Sequence, residues 1–265
     1  MIRINVSLQR LHFLQNQSRI IFMTDIWDKL LDIERAKKDK EFLKTFKRPP
    51  VIVRDIFYFL VTLIFKALFS YDIRGCENLP ERGPYIVAAN HSSALDYPVV
   101  AWSMPKNARD ELYAITTSYF YDNPFTRFFI MIATNSIRID TTDNYEPALQ
   151  AAAKVLAQGG SVYINPEGTW SEDGKLMEFK PGVGLLSIKL SVPVVPVYIG
   201  GTFDVLPPHA LFPRIRRNVK VYFGKPIYPE RFATDLSDVG YDIYKKIADE
   251  VRGEIVELRD KKDSI

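Results

Sequence analysis

Asn90-His91-Ser92-Ser93-Ala94-Leu95-Asp96 holds the residue types of a general base and its orienting partner: a histidine, with a carboxylate five positions on. A neutral imidazole can take a proton at one nitrogen while a carboxylate holds the other. Within one regular helix, residues five apart lie about 140° apart and do not meet easily. The pairing therefore predicts His91 in a turn and Asp96 in the first turns of the helix that follows, with Ser92 or Ser93 as N-cap. A histidine in a polar turn beside a surface aspartate fits the same spacing.

Ile164-Asn165-Pro166-Glu167-Gly168-Thr169-Trp170-Ser171 forms a second constellation. Each constellation follows an apolar run that reads as a buried strand, Tyr85–Ala89 before the first and Ser161–Ile164 before the second. In open α/β sheets ligands collect beyond the carboxyl ends of the strands, so both turns are predicted to face one crevice. Glu167 could orient an acceptor hydroxyl or hold its loop. Gly168 could supply a turn of positive φ, and backbone N–H groups there could meet an anion. Arg138, in Asn135–Asp140, and Lys180, in Phe179-Lys180-Pro181-Gly182, are candidate anion contacts or else solvated surface charges.

Other chemistries lack their residues. The lone Cys76 leaves no disulfide framework, and His12, His91 and His209 show no metal-ligand spacing. There is no Gly-x-Ser-x-Gly elbow for a hydrolase triad. A net charge of +3 over 265 residues gives no global case for nucleic acid.

Strands and helices alternate from Tyr71 onward, which predicts an α/β fold with a mixed, mostly parallel sheet flanked by helices. Predicted strands are 71–74, 85–89, 112–116, 136–139, 161–164, 194–199 and 219–223. Predicted helices are 95–103, 124–133, 145–158, 182–190 and 238–260, with a capping box in Asp143…Glu146 and a stop at Gly159-Gly160. Two prolines, Pro193 and Pro196, argue for an edge or an irregular strand.

The N-terminal part differs in character. Residues 1–22 carry Arg3, Arg10 and Arg19 without an acid and read as an extension with little structure; Met23-Thr24-Asp25 resembles a natural start. Residues 23–70 read as amphipathic and hydrophobic helices, the first basic-rich up to Pro49-Pro50. The apolar run Ile56–Phe65 is shorter than the about 20 residues a spanning helix needs. Arg54, Tyr58, Thr62 and Lys66 recur at i+4 as one polar stripe, as in a helix lying on a bilayer with its cations snorkelling to the headgroups. A buried core helix fits the same run.

Four blocks in order, Asn90-His91-x4-Asp96, Ile137-Arg138-Ile139-Asp140, Pro166-Glu167-Gly168-Thr169 and Val192-Pro193-Val194-Val195-Pro196-Val197, resemble the phospholipid/glycerol acyltransferase family over roughly residues 70–230. The resemblance makes 71–265 the acyltransferase α/β domain. It likens the preceding helices to the membrane-docking helices of some bacterial members. It implies transfer of a fatty acyl group from acyl-CoA or acyl carrier protein to a hydroxyl of a lysoglycerophospholipid of the 1-acylglycerol-3-phosphate type. His91 would be the general base and Asp96 its orienter. Glu167, Gly168 and Thr169 would bind the acceptor, and Arg138 or Lys180 would meet its phosphate. No resident cofactor is implied, and the expected location is the cytoplasmic face of a membrane.

Two positions depart from the family pattern. Thr141 stands where the second block commonly has arginine, and Trp170 where the third does. A different lipid hydroxyl, without phosphate at the usual place, is therefore a second expectation. A catalytically silent lipid-binding protein on the same fold is a third, against which the intact His91…Asp96 pair argues.

Overall fold

Seven short runs rich in Val, Ile and Tyr become the strands of one sheet: β1 Ser70–Arg74, β2 Ile86–Ala89, β3 Leu112–Thr117, β4 Asn135–Ile139, β5 Ser161–Ile164, β6 Val194–Gly200 and β7 Asn218–Phe223. The computed structural model describes residues 33–39, 42–43, 50–117, 122, 127, 135–139, 145–208, 210, 212–215, 217–233, 235–236 and 239–261. Within them the α-helices are α1 Ile33–Lys38, α2 Val51–Leu68, α3 Asp96–Ser103, α4 Lys106–Asp110, α5 Glu146–Ala157, α6 Gly182–Leu190, α7 Thr202–Val205 and α8 Tyr241–Asp260. The expected extension 1–22, the start at Met23 and the helix 124–133 lie outside the described residues.

The strand order is β1-β7-β6-β2-β5-β3-β4, and every neighbouring pair is parallel except β6–β7. The predicted mixed, mostly parallel sheet is thus observed. Strands β2, β3, β4, β5 and β6 all end on one side of the molecule, and β1 and β7 begin there. In β2, Ile86 and Ala88 face one layer while Val87 and Ala89 face the other, and all four are fully buried. Burial on both faces is why the strand shows no polar alternation. Helices α5, α6 and α8 close one face; α3 and the end of α2 close the other.

The two prolines do not mark an edge. β6 is central, between β2 and β7. From Val194 to Val197 is three residues, whereas their partners Ile227 and Phe223 are four apart, so the partner carries one extra residue opposite Pro196. The missing proline N–H falls at this bulge, and Gly224 still donates to the Pro196 carbonyl at 2.8 Å. At α5 the helix starts at Glu146 with Tyr145 at the cap and no side-chain cap bond; Asp143 lies outside the described residues. Gly159, at φ +85°, ends the turn after α5 as expected.

The stripe on α2 faces the opposite way from the sequence expectation. Arg54 and Tyr58 are each only 6% exposed. The Arg54 guanidinium donates to Asp110 Oδ1 at 3.0 Å, and that of Arg109 lies 3.8 Å from the Tyr58 ring centre. The Thr62 hydroxyl accepts the indole N–H of Trp102 at 2.9 Å, and Lys106 pairs with Asp55. Fixed partners on α3 and α4 hold these groups, so the stripe latches α2 to the domain. The opposite face is left outward, with Ile52, Ile56, Phe59, Leu60, Leu63 and Ile64 more than half exposed. No helix among the described residues is long and apolar enough to cross a membrane.

Candidate active site

Strand β2 ends at Ala89, and the next residue fixes the turn to its neighbours. The Asn90 side chain donates to Ile199 O at 2.9 Å and accepts Ile199 N–H at 2.8 Å, replacing two ladder bonds with β6. Asn165, just past β5, donates to the carbonyls of Ala89 and Asn90, both at 3.1 Å. The ends of β2, β5 and β6 are thereby tied into one platform.

His91 sits on that platform and Asp96 opens α3, the placement that their spacing demands. His91 Nδ1 lies 3.0 Å from Asp96 Oδ2. The same oxygen accepts the N–H groups of Ser92 at 2.7 Å and Ser93 at 2.9 Å. Asp96 Oδ1 accepts the Thr202 hydroxyl at 2.6 Å. Asp96 is fully buried, and its other three partners are donors, which suits an ionised, accept-only carboxylate. The network therefore assigns the imidazole hydrogen to Nδ1 and leaves Nε2 free to accept. The serines do not cap α3 as expected; Leu95 holds the cap position and has no side-chain cap bond. Ser93 Oγ instead accepts Leu95 N–H at 3.1 Å, closing the turn one step earlier.

Glu167 is turned inward rather than toward an acceptor. It is 3% exposed; Oε1 accepts His91 N–H at 2.8 Å and Oε2 accepts Met177 N–H at 3.1 Å. Ser171 N–H donates back to His91 O at 2.9 Å, so the two turns are stitched in both directions. Burial raises the Glu167 carboxyl above the usual carboxylate range, against the pull of the two backbone donors. A raised folded pKa means that the linked stability is full below the unfolded value and is lost as pH rises through the folded one. Glu167→Gln is therefore expected to flatten stability against pH across that interval. It should also cost about 1–3 kcal/mol, because its NH2 group meets one of the two backbone donors. Thermal unfolding measured over a pH series checks both effects; an unchanged profile would refute the bridging role.

Gly168 and Thr169 form the exposed tip of the second turn, Gly168 at φ +78°. A Cβ at Gly168 would meet Lys180 Nζ at 2.8 Å, so the ammonium lies against this turn. Lys180 Nζ also lies 3.6 Å from the ring centre of Tyr145. Trp170 stands edge-to-face with His91, ring centres 5.7 Å apart. Arg138 is exposed on β4, at the end of the sheet beyond β5 and β3, and is the one candidate set apart from this cluster by strand order. Asp140 and Thr141 lie outside the described residues. Thr202 is the participant that spacing did not single out for a role. Its signal was the run Gly200-Gly201-Thr202, which also resembles the family but implied no role for the hydroxyl; Gly201 takes φ +83°.

A free imidazole nitrogen, backed by a buried carboxylate at the carboxyl ends of parallel strands, has the geometry that a general base requires. A family profile described as Acyltransferase matches residues 70–200, which hold all of these groups except Thr202. A chloroplastic 1-acyl-sn-glycerol-3-phosphate acyltransferase, BAT2, from Brassica napus is 29% identical over 161 residues, 60% of this chain and 46% of that protein. Another from Chlamydomonas reinhardtii is 31% identical over 64% of this chain and 50% of its own length. The human alpha form is 27% identical over 55% of this chain and 51% of its own. The chain thus spans about half the length of the curated relatives it matches. The crystal structure of the 1-acyl-sn-glycerophosphate acyltransferase PlsC from Thermotoga maritima has the same fold, with a TM-score of 0.62, 22% identity, and coverage of 94% of this chain and 98% of that one. Over residues 70–200 the chain matches the acyltransferase family.

Proposed function

We propose that this protein is an O-acyltransferase working at a membrane surface on its cytoplasmic face. It moves a fatty acyl group from acyl-CoA or acyl carrier protein to a hydroxyl of a lysoglycerophospholipid of the 1-acylglycerol-3-phosphate type. The observation that carries the reading is the His91–Asp96 pair with Nε2 left free. His91 Nε2 takes the proton of the acceptor hydroxyl as its oxygen attacks the thioester carbonyl. Collapse of the tetrahedral intermediate breaks the C–S bond, and the imidazolium returns the proton to the departing thiolate. Asp96 stabilises the transient imidazolium. No covalent enzyme intermediate is needed, and burial pushes the Cys76 thiol up, away from nucleophilic use. The thioester carrier is a co-substrate, no metal or prosthetic group enters the scheme, and nucleic acid has no part in it.

Gly168, Thr169 and Lys180 line the turn beside His91 and are the groups best placed for the acceptor, with Lys180 as its phosphate contact. Lys180→Ala is expected to raise KM for a phosphorylated acceptor about tenfold or more with a smaller change in kcat. Arg138→Ala, set farther along the sheet, tests the alternative contact by the same measurement. An unchanged KM in both variants would remove the phosphate from the acceptor. The edge-to-face placement of Trp170 on His91 favours a second reading, in which the acceptor hydroxyl belongs to a lipid without that phosphate and packs on the indole. A thiol-release assay with acyl-CoA against phosphorylated and neutral lysolipids separates the two. Release with neither class would refute acyl transfer to lipids and leave lipid binding alone.

A further inference from the structure

We propose that the loop bearing Phe212, Arg214, Ile215 and Arg217 is a second lipid-contacting element, one that docks on the headgroups of an anionic bilayer beside the catalytic turn. Phe212 is 81% exposed, more than any other large hydrophobic residue among those described, and Ile215 is 53% exposed. Single exposed apolar residues are ordinary on a protein surface. This pair differs by being interleaved with the exposed Arg214 and Arg217 and by its position in the fold. Arg216 adds a third cation to the same stretch of sequence.

Hydrogen bonds fix that position at both ends. Ser93 Oγ, in the His91–Asp96 turn, donates to Leu206 O at 2.7 Å, and Arg214 N–H donates to Val205 O at 2.7 Å. At the far end Ser70 N–H donates to Arg217 O at 3.2 Å, two residues beyond the end of α2. The loop therefore spans from the catalytic turn to the helix whose outward face is apolar. Pro207, Pro208 and Pro213 each fix their own φ and so restrict its backbone. Apolar tips among arginines match the layered chemistry of a bilayer surface, hydrocarbon beneath anionic headgroups.

The assignment rests on the membrane-surface reading and can fail separately from it. The full chain is floated with phosphatidylcholine vesicles, with and without phosphatidylglycerol. Phe212→Ser/Ile215→Ser is expected to lower partitioning about tenfold or more on both vesicles. Arg214→Ala/Arg217→Ala should lower it about tenfold on the anionic vesicles only, and should weaken its salt dependence. Turnover of a short-chain soluble acceptor should stay unchanged in both variants. Unchanged partitioning of both, with binding lost in Phe59→Ser/Leu63→Ser, would overturn the loop assignment and keep α2 as the docking element. A wild-type chain that ignores both vesicles would overturn the loop and the membrane reading together. A change of oligomeric state in the loop variants, seen by light scattering without lipid, would make the loop a contact between copies and overturn the lipid assignment.

Discussion

His91→Ala is expected to abolish measurable acyl transfer while leaving the fold and vesicle binding intact. The imidazole is partly exposed and is held through Nδ1 and through backbone contacts. The variant keeps the N–H to Glu167 and the carbonyl to Ser171, so the platform of turns survives. What disappears is the proton acceptor, worth about 10²–10⁴ in rate for general-base catalysis. Asp96 loses one donor of four but keeps the two serine N–H groups and the Thr202 hydroxyl. Loss of kcat with an unchanged melting temperature is therefore the expected signature, measured by thiol release and circular dichroism on the same sample. Retained turnover in purified His91→Ala would sink the mechanism.

Asp96 should separate its structural and electrostatic roles by the choice of substituent. In Asp96→Asn the amide has only one sensible orientation. The serine N–H groups and His91 Nδ1–H need an oxygen at the Oδ2 position, and the Thr202 hydroxyl can turn to accept the NH2 group at the other. The tautomer of His91 is then kept and only the negative charge is lost. The expected fall in kcat is on the order of 10²–10³, with KM and melting temperature little changed. That is less than the about 10⁴ seen in a serine-protease triad, where the same change also reverses the tautomer. Asp96→Ala should instead leave buried donors unsatisfied, at about 1–3 kcal/mol each, and should unfold at a clearly lower temperature. A loss in Asp96→Asn as large as that in His91→Ala would show that the amide turns and the assigned hydrogen position is wrong.

How far this could be read from the chain depended on whether the deciding contact was local. All seven strands were legible as short runs with β-branched or aromatic residues set between turn residues. The His91–Asp96 pair was legible because five residues of chain bring the groups together at a strand end. Thr202 and the Asn90 and Asn165 ties were not, since their partners come from other strands and nothing in spacing ranks one hydroxyl or amide above another. Glu167 was legible only as a choice between acceptor and loop, and burial of its carboxylate decides for the loop. The α2 stripe was read correctly as a stripe. Its direction depended on Asp110 and Trp102, which no pattern within the helix can foresee.

On the proposed membrane-surface reading, the latch of Arg54, Tyr58 and Thr62 would give the molecule a measuring function. With α2 held to α3 and α4 and seated on lipid, the height of His91 above the hydrocarbon would be set once for every substrate. Discrimination among acceptors would then act partly as a ruler, admitting hydroxyls whose depth in the bilayer matches that height. Turnover should follow the two-dimensional density of acceptor in the membrane rather than its amount per volume of solution.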